Sequence, residues 1–131
     1  MTSMNIWHWL IIGFGGGLGA MGRFAVVTSI NRLHGSFYPW GTFTVNVVGS
    51  FIMGLAFVFF TLKYPNLPMG WRGFVMIGLL GAFTTFSSFA LEGLTLLQQH
   101  HYTLALLYML ASVIICLIAV TVGFGAGKLI F

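Results

Sequence analysis

The chain has 131 residues, of which 59% are hydrophobic and only 5% are charged. Soluble domains carry roughly 25% charged residues, so this composition excludes an ordinary water-exposed surface. The mean hydropathy of +1.03 indicates instead a single domain inside a lipid bilayer. The net charge of +4 comes from five basic residues and one acid, which are too few cations for a nucleic-acid-binding patch.

Four apolar runs are long enough to cross a bilayer as helices, since the hydrocarbon core takes about 20 residues. They cover approximately residues 6–30, 40–62, 74–97 and 102–130. The connections are short, so we expect residues 1–131 to form one all-α membrane domain of four packed transmembrane helices. No Lys or Arg precedes Arg23, so the first run lacks the positive end of a signal peptide and is expected to remain as a helix.

Charge specifies the orientation of these helices only weakly. With four spans, the termini and the middle connection share one side, which carries Lys63, Arg72 and Lys128. The other side carries Arg32, and also Arg23 if its side chain reaches that far. This small difference leaves two arrangements open: one orientation with cytoplasmic termini, or a dual topology in which the chain inserts both ways up.

Glycines recur at four-residue spacing in the first and last spans, as Gly13 and Gly17, Gly15 and Gly19, and Gly123 and Gly127. Small residues at this spacing let helix backbones touch in lipid, so the pairs are predicted to be packing seams. Residues 17–22 also match the dinucleotide fingerprint G-x-G-x-x-G. That fingerprint needs a preceding strand, whereas an apolar helix precedes it here, so a nucleotide site is rejected.

Several polar side chains fall where lipid is expected, and such groups usually face the bundle interior or a water-filled path. Arg23 could snorkel to an interface, bind backbone carbonyls or attract anions. Asn46 shares a helical face with Thr42 and Ser50, and it could bond a neighbouring helix or a passing anion. Glu92 is the only acid and a candidate proton carrier for an antiporter, although its flanks suggest a position near an interface.

The third span is the most unusual because hydroxyls and phenyl rings alternate at its centre, as Phe83, Thr84, Thr85, Phe86, Ser87, Ser88 and Phe89. Such a cluster suits a helix that is broken in mid-membrane, since the freed backbone groups need hydroxyl partners. Phe86 and Phe89 share a face, and the positive edges of their rings could favour an anion weakly. The alternative is that both rings fill the core.

The fourth span carries a polar stripe, since Tyr108, Ser112 and Cys116 follow one another at intervals of one helical turn. The stripe is either a ladder of weak hydrogen-bond donors or a packing seam. Cys116 is the only cysteine, which excludes an intrachain disulfide, and small core packing is its expected role.

Three stretches resemble the Fluc fluoride channels, also called CrcB: residues 15–24 (GGGLGAMGRF), 40–46 (WGTFTVN) and 81–89 (GAFTTFSSF). The resemblance extends over essentially the whole chain. It implies an antiparallel, dual-topology homodimer in the bacterial inner membrane that exports cytoplasmic fluoride passively and so relieves its toxicity. It also implies a broken third helix and a structural Na⁺ at the dimer interface, held by the backbone carbonyls of Gly81 and Thr84 from each subunit.

The predicted fluoride pore comprises Asn46, Phe86, Phe89, Tyr108, Ser112, Thr42, Thr85 and Ser88, with Arg23 in the vestibule. By the resemblance, Asn46 donates to the ion, while Phe86 and Phe89 supply ring edges. This chain departs from the family pattern at Cys116, where Ser is frequent, so its contact with the ion is left open. Ala82 and Ser88 are smaller departures, from a frequent Gly and a frequent Thr.

The physics of a small anion agrees with a neutral pore. Moving a carboxylate-sized ion into a low-dielectric medium costs on the order of 20 kcal/mol, and fluoride is smaller. The pore must therefore supply many hydrogen-bond donors and still release the ion. A lining of Asn, Thr, Ser and Tyr without a fixed cation meets both demands, whereas a ring of Arg would trap the ion.

Two other classes of membrane protein are alternatives to a fluoride channel. A small dual-topology multidrug or cation antiporter is expected to place its carboxylate in the first span, where this chain has none. A non-transporting scaffold subunit would need no mid-membrane Asn. An enzyme is not expected, because His100 and His101 lie in a loop and no second acid can pair with Glu92. No organic cofactor is expected either.

Overall fold

A computed structural model of the chain describes residues 5–35 and 37–131, so residues 1–4 and 36 of the predicted domain lie outside it. Within the described ranges the chain is helical and has no strand. In the part of the chain that the structure describes, four helical spans are long and apolar enough to cross a membrane: Ile6–His34, Trp40–Lys63, Met69–Gln98 and Tyr102–Ile130. The predicted all-α architecture with four spans is confirmed. The first span runs past residue 30 to His34, and the third begins at Met69 rather than at residue 74.

Local sequence signals set the ends of these spans. The side chain of Asn5 caps the first span by accepting a hydrogen bond from His8 N at 3.2 Å. Gly35, with φ of 73°, ends it in a conformation that side chains rarely adopt. Pro39 and Pro68 lie directly before the second and third spans. A backbone N–H at this position would have no acceptor within the helix, so the N–H that proline lacks is not missed.

Two segments wind more widely than an α-helix. Val58–Lys63 ends the second span and Gly73–Leu80 lies in the third, and both are π-helical. At the end of the first of these segments, Tyr64 N donates to Phe59 O at 2.9 Å. Each such bond spans one residue more than an α-helical bond, so the following side chains are rotated relative to a continuous α-helix.

The third span changes conformation close to its middle. Thr84 and Thr85 take extended backbone angles between the helical residues 81–83 and 86–98. Thr84 Oγ1 donates to Leu80 O at 3.0 Å, and Thr85 Oγ1 accepts from Ser88 N at 3.1 Å. The two hydroxyls thus bond backbone groups next to the helix ends that meet here. Residues 84–85 are named the interruption below.

The first span packs against residues 73–83 of the third. A Cβ on Gly15 would lie 2.6 Å from Phe74 O, and one on Gly19 would overlap the backbone of the third span. No atom of residues 5–35 and 37–131 lies within 4 Å of the position that a Cβ would take on Gly13 or Gly17. Gly15 and Gly19 therefore form a packing seam within the chain, as predicted. The other predicted pair, Gly13 and Gly17, does not.

The second span packs mainly against the fourth. A Cβ on Gly123 would overlap Phe51 O, and a Cβ on Gly127 would lie 2.9 Å from the Val58 side chain. The predicted seam at these two glycines is present in the structure. Val45 and Tyr108, also on these two spans, are fully buried. The close contact of the second and fourth spans positions the polar groups described next.

Candidate functional site

A cavity of about 430 Å³ lies beside the interruption, between the second, third and fourth spans. Five of the predicted pore residues line it: Asn46, Thr85, Phe86, Phe89 and Ser112. Ser50, Thr84 and Cys116 add further polar groups, and Met53 adds a thioether. No charged side chain of the described residues takes part in this wall. The cavity therefore offers hydroxyl, amide, thiol and aromatic groups, all of them neutral.

Asn46 is bonded to the backbone of the interruption. Its Nδ2 donates to Thr85 O at 3.0 Å, and its Oδ1 accepts from Thr85 N at 2.7 Å. The amide thus ties the start of the second half of the third span to the second span. An Asn amide carries two N–H donors, so one is left over, and the side chain lines the cavity. The predicted ion donor therefore also holds the interruption in place.

The helix that follows the interruption presents its N-terminus there. It runs from Phe86 to Gln98 and has 13 residues. Ser88 N is bonded to Thr85 Oγ1, whereas the N–H groups of Phe86 and Ser87 donate to no acceptor within residues 5–35 and 37–131. Such unpaired N–H groups, together with the helix dipole, create a partial positive charge at this end. This end of the helix is therefore favourable to an anion.

Phe86 and Phe89 form a ring pair, with centroids 5.5 Å apart and an angle of 47° between the planes. Phe89 packs in turn on the buried ring of Tyr108, with centroids 5.3 Å apart. Phe86 is 78% exposed in the single chain. One ring is thus partly buried against the core and the other projects from it, and both belong to the cavity wall.

Ser112 presents an unpaired hydroxyl. The residue is only 5% exposed, and its Oγ has no hydrogen-bond partner among the described residues. Buried polar groups are nearly always paired, so an exception of this kind calls for an explanation. Ser112 belongs to the cavity wall, while its hydroxyl oxygen is enclosed by protein atoms.

Glu92 lies one helical turn beyond Phe89, outside the cavity wall. Thr42 Oγ1 donates to one of its carboxylate oxygens at 2.7 Å, and Tyr108 OH donates to the other at 2.8 Å. Thr42 and Tyr108 are 2% and 0% exposed, so two buried neutral hydroxyls hold this half-buried carboxylate. The three residues come from three different spans, and no spacing in the sequence indicated that they meet.

A tyrosine from the connection before the second span closes this cluster. The ring of Tyr38 packs edge-on against that of Tyr108, with centroids 5.3 Å apart at 87°. Burial raises the pKa of Tyr38, so its phenol stays neutral at physiological pH. The polar pair of Tyr108 and Glu92 is thus covered by aromatic surface on this side.

Two further predicted residues lie outside the cavity wall. Arg23 Nε donates to Ala82 O at 3.0 Å, next to the interruption. Of the three roles left open for Arg23 by the sequence, this contact corresponds to bonding a backbone carbonyl. Ser88 lies in the first turn of the helix after the interruption, where its N–H is bonded to Thr85 Oγ1. Neither side chain is brought to the cavity with Asn46.

The predicted Na⁺ ligands are carbonyl oxygens without hydrogen bonds from the described residues. In a continuous helix Thr85 N would bond Gly81 O, but it is bonded to Asn46 instead. Ser88 N would bond Thr84 O, but it is bonded to Thr85 Oγ1. Carbonyls of unwound membrane helices are suitable ligands for Na⁺. Two oxygens are too few for a hard cation, so these residues fit the ion only if another chain adds ligands.

A known family matches most of this chain. The family profile described as CrcB-like protein, Camphor Resistance (CrcB), matches residues 10–124. The chain belongs to the CrcB family. The CrcB family resemblance predicted from the three sequence stretches is confirmed, and the matched range includes the interruption and the whole cavity wall.

Relatives of this CrcB chain resemble it over nearly their full lengths. The fluoride-specific ion channel FluC of Hahella chejuensis is 42% identical over 127 residues, which cover 97% of this chain and 99% of that protein. The protein of the same name from Magnetococcus marinus is 44% identical over 119 residues, covering 91% and 96%. That from Hydrogenovibrio crunogenus is 40% identical over 131 residues, covering 100% and 98%.

Proposed function

We propose that this CrcB protein is a fluoride channel of the bacterial inner membrane, through which cytoplasmic fluoride leaves passively and its toxicity is relieved. The observation that carries the proposal is the cavity wall. It combines hydrogen-bond donors with phenyl edges and, among the described residues, contains no charged side chain. The names of the relatives, fluoride-specific ion channel, agree with this chemistry.

The donors of the wall suit a small and strongly hydrated anion. Dehydrating such an ion in a low-dielectric medium costs on the order of 20 kcal/mol, so many donors must replace the lost water. The second N–H of Asn46, the hydroxyl of Ser112 and the N–H group of Phe86 can each supply one hydrogen bond, and the N–H group of Ser87 follows directly after the wall residue Phe86. Each is a neutral dipole, so the ion is not held by a fixed cation and can be released.

Thr42 and Tyr108 belong to the predicted pore, but their hydroxyls are bonded to Glu92. Each hydroxyl has a single proton, and both protons are donated to Glu92. Either residue can therefore donate to fluoride only by exchanging its bond with the carboxylate. The sequence prediction that both belong to the pore thus requires Glu92 to give up these partners when the ion passes.

A second, antiparallel copy completes the proposed channel. Phe86, Ser87 and Gly81 are exposed around the interruption in the single chain. Lipid cannot bond the backbone groups of an interrupted helix, so these groups need protein or water over them. A second copy would cover them, and it would double the carbonyl ligands of a structural Na⁺ at Gly81 and Thr84. The weak Lys and Arg asymmetry of the sequence is compatible with insertion in both orientations.

Fluoride efflux from liposomes tests the proposed function. Purified protein is reconstituted into liposomes loaded with fluoride and chloride, and external fluoride is recorded without a pH gradient. We expect rapid fluoride release while chloride is retained. No release of fluoride, or equal release of both anions, would contradict the proposal. Glu92 favours one other candidate, a proton-coupled antiporter, and that candidate predicts that released fluoride is exchanged for protons, so that the liposome interior acidifies during efflux.

A cysteine-accessibility measurement tests the dual topology. A single cysteine is introduced in the 64–68 connection of a Cys116→Ser background, so that an impermeant thiol reagent reports this position alone. If the chain inserts both ways up, about half of the protein is labelled from outside intact cells and the rest only after lysis. Labelling from one side only would contradict the antiparallel arrangement.

A further inference from the structure

A row of polar side chains leads from the cavity toward one surface of the membrane. It consists of Thr42, Tyr108 and Glu92, which lie about one helical turn from the wall residues Asn46, Ser112 and Phe89. Each step leads toward the surface at which the second and fourth spans begin and the third span ends. Both hydroxyls of the row are bonded to the carboxylate of Glu92, at 2.7 and 2.8 Å. The three residues are named the polar row below.

Tyr38 covers the polar row at this surface. It lies two residues before the start of the second span, and its ring contacts that of Tyr108 edge-on, with centroids 5.3 Å apart. Trp40 and Phe43 hold this ring, with centroids 4.4 and 6.1 Å from it. The other ring packed on Tyr108 is that of Phe89, in the cavity wall. Tyr108 thus contacts the cavity wall and Tyr38, which is itself half-buried.

We propose that Tyr38 closes the fluoride path at this surface, and that fluoride passes when the ring of Tyr38 moves aside. This inference rests on the proposed function, since it places the mouth of the same path. An uncharged ring forms a constriction that excludes water and ions while it is in place. With the ring displaced, water that enters beside Tyr108 donates to Glu92 in place of the two hydroxyls. Thr42 and Tyr108 are then free to donate to the ion.

Fluoride efflux after thiol modification tests the position of Tyr38 in the path. Tyr38→Cys is made in a Cys116→Ser background and reconstituted into liposomes. Because antiparallel copies present one such residue on each surface, an impermeant, charged methanethiosulfonate added outside should lower the initial rate about twofold. A membrane-permeant maleimide reaches both surfaces and should lower the rate at least about tenfold. An unchanged rate in fully labelled protein would overturn the proposal.

Tyr64→Cys in the same background is the matched control. Tyr64 follows the other end of the second span, is 49% exposed, and packs on Phe59 with ring centroids 4.8 Å apart. Among the described residues, it lines neither the cavity nor the polar row. Its labelling should therefore leave the rate of efflux unchanged. Equal inhibition after labelling at the two positions would overturn the specific role of Tyr38.

The reactivity of a buried thiol tests the cover without any measurement of flux. Thr42 is only 2% exposed, so Thr42→Cys places a thiol inside the polar row. In the purified protein we expect the methanethiosulfonate to label this thiol at least about tenfold faster once Tyr38→Ala is added. Ala56→Cys is the control for general loosening, because Ala56 is 7% exposed and lies farther along the same span. Its labelling should be equally slow with and without Tyr38→Ala.

These two measurements separate the inference from the proposed function. If the unmodified protein releases no fluoride, the proposed function fails; if only Tyr38→Cys fails to conduct before labelling, the function stands. In both cases the labelling of Thr42→Cys decides whether Tyr38 covers the polar row. No acceleration at Thr42→Cys, or equal acceleration at Ala56→Cys, would overturn the cover whatever the flux.

Discussion

Asn46→Ala is expected to release the interruption from the second span. The side chain of Asn46 makes two part-buried hydrogen bonds with the backbone of Thr85, at 2.7 and 3.0 Å. The substitution removes both and leaves one N–H and one carbonyl unpaired. A hydrogen bond contributes about 1 kcal/mol in soluble proteins and about 0.6 kcal/mol between membrane helices. Two bonds therefore correspond to about 1–2 kcal/mol.

This loss is expected to reduce ion flux as well as stability. Thr85 caps the helix that begins at Phe86, so movement of Thr85 displaces the free N–H groups and the ring of Phe86. A change of about 1–2 kcal/mol makes the native arrangement about 5–30-fold less populated relative to a displaced one. Fluoride efflux from liposomes should fall by a factor in this range if conduction requires the native interruption.

Two further variants sharpen the measurement. Asn46→Asp keeps the acceptor for Thr85 N but puts an oxygen opposite Thr85 O, so it should lose at least as much flux as Asn46→Ala. Val48→Ala changes an exposed residue two positions along the same span and should conduct normally. The midpoint of thermal unfolding is recorded for each variant beside the initial rate of efflux. A wild-type rate for Asn46→Ala would refute the reasoning that the amide holds the pore in its conducting geometry.

Three further predictions address the rings, the carboxylate and the glycine seam. Phe86→Leu and Phe89→Leu should each abolish fluoride efflux while the protein elutes at the same size as the unmodified chain, and normal rates in both would remove the role of the rings. Glu92→Gln has one acceptor oxygen for two hydroxyl donors, so we expect about 1–3 kcal/mol of destabilisation, and an unchanged unfolding midpoint would contradict this contact. Gly15→Ala should lose about 1–3 kcal/mol by overpacking, whereas Gly17→Ala has open space around its Cβ and should be nearly neutral. Equal unfolding midpoints for the two glycine variants would exclude the seam.

The four spans could be predicted from sequence because a bilayer requires apolar runs of nearly fixed length. The polar positions inside those runs were informative for the same reason, since each polar group in lipid needs a partner or a path. Asn46, Thr84 and Thr85 stood out on this ground, and the structure places these three residues at one cavity, whereas Ser87 and Ser88 lie outside its wall. Composition and spacing were thus sufficient to select candidate residues.

Contacts between spans could not be predicted in the same way. The glycines at 13 and 17 and those at 15 and 19 lie on nearly opposite helix faces, and only one face can meet the third span. The π-helical turns between residues 73 and 80 rotate the following side chains away from the positions that a regular α-helical period gives. For the same reason, the sequence did not show that Glu92 contacts Thr42 and Tyr108, which come from other spans.

The charged side chains of Arg23 and Glu92 suggest how selectivity arises in the proposed channel. Arg23 donates to Ala82 O, and Glu92 accepts from two hydroxyls, so neutral partners within the chain engage both charges. No charged side chain of the described residues lines the cavity, so the groups that contact an ion there are the dipoles of amide, hydroxyl and helix N-terminus. A fixed cation would attract every anion, whereas dipoles favour the ion that accepts the strongest hydrogen bonds at the shortest distance. Fluoride is the smallest halide, so a wall built this way favours fluoride over chloride by hydrogen-bond geometry and not by net charge.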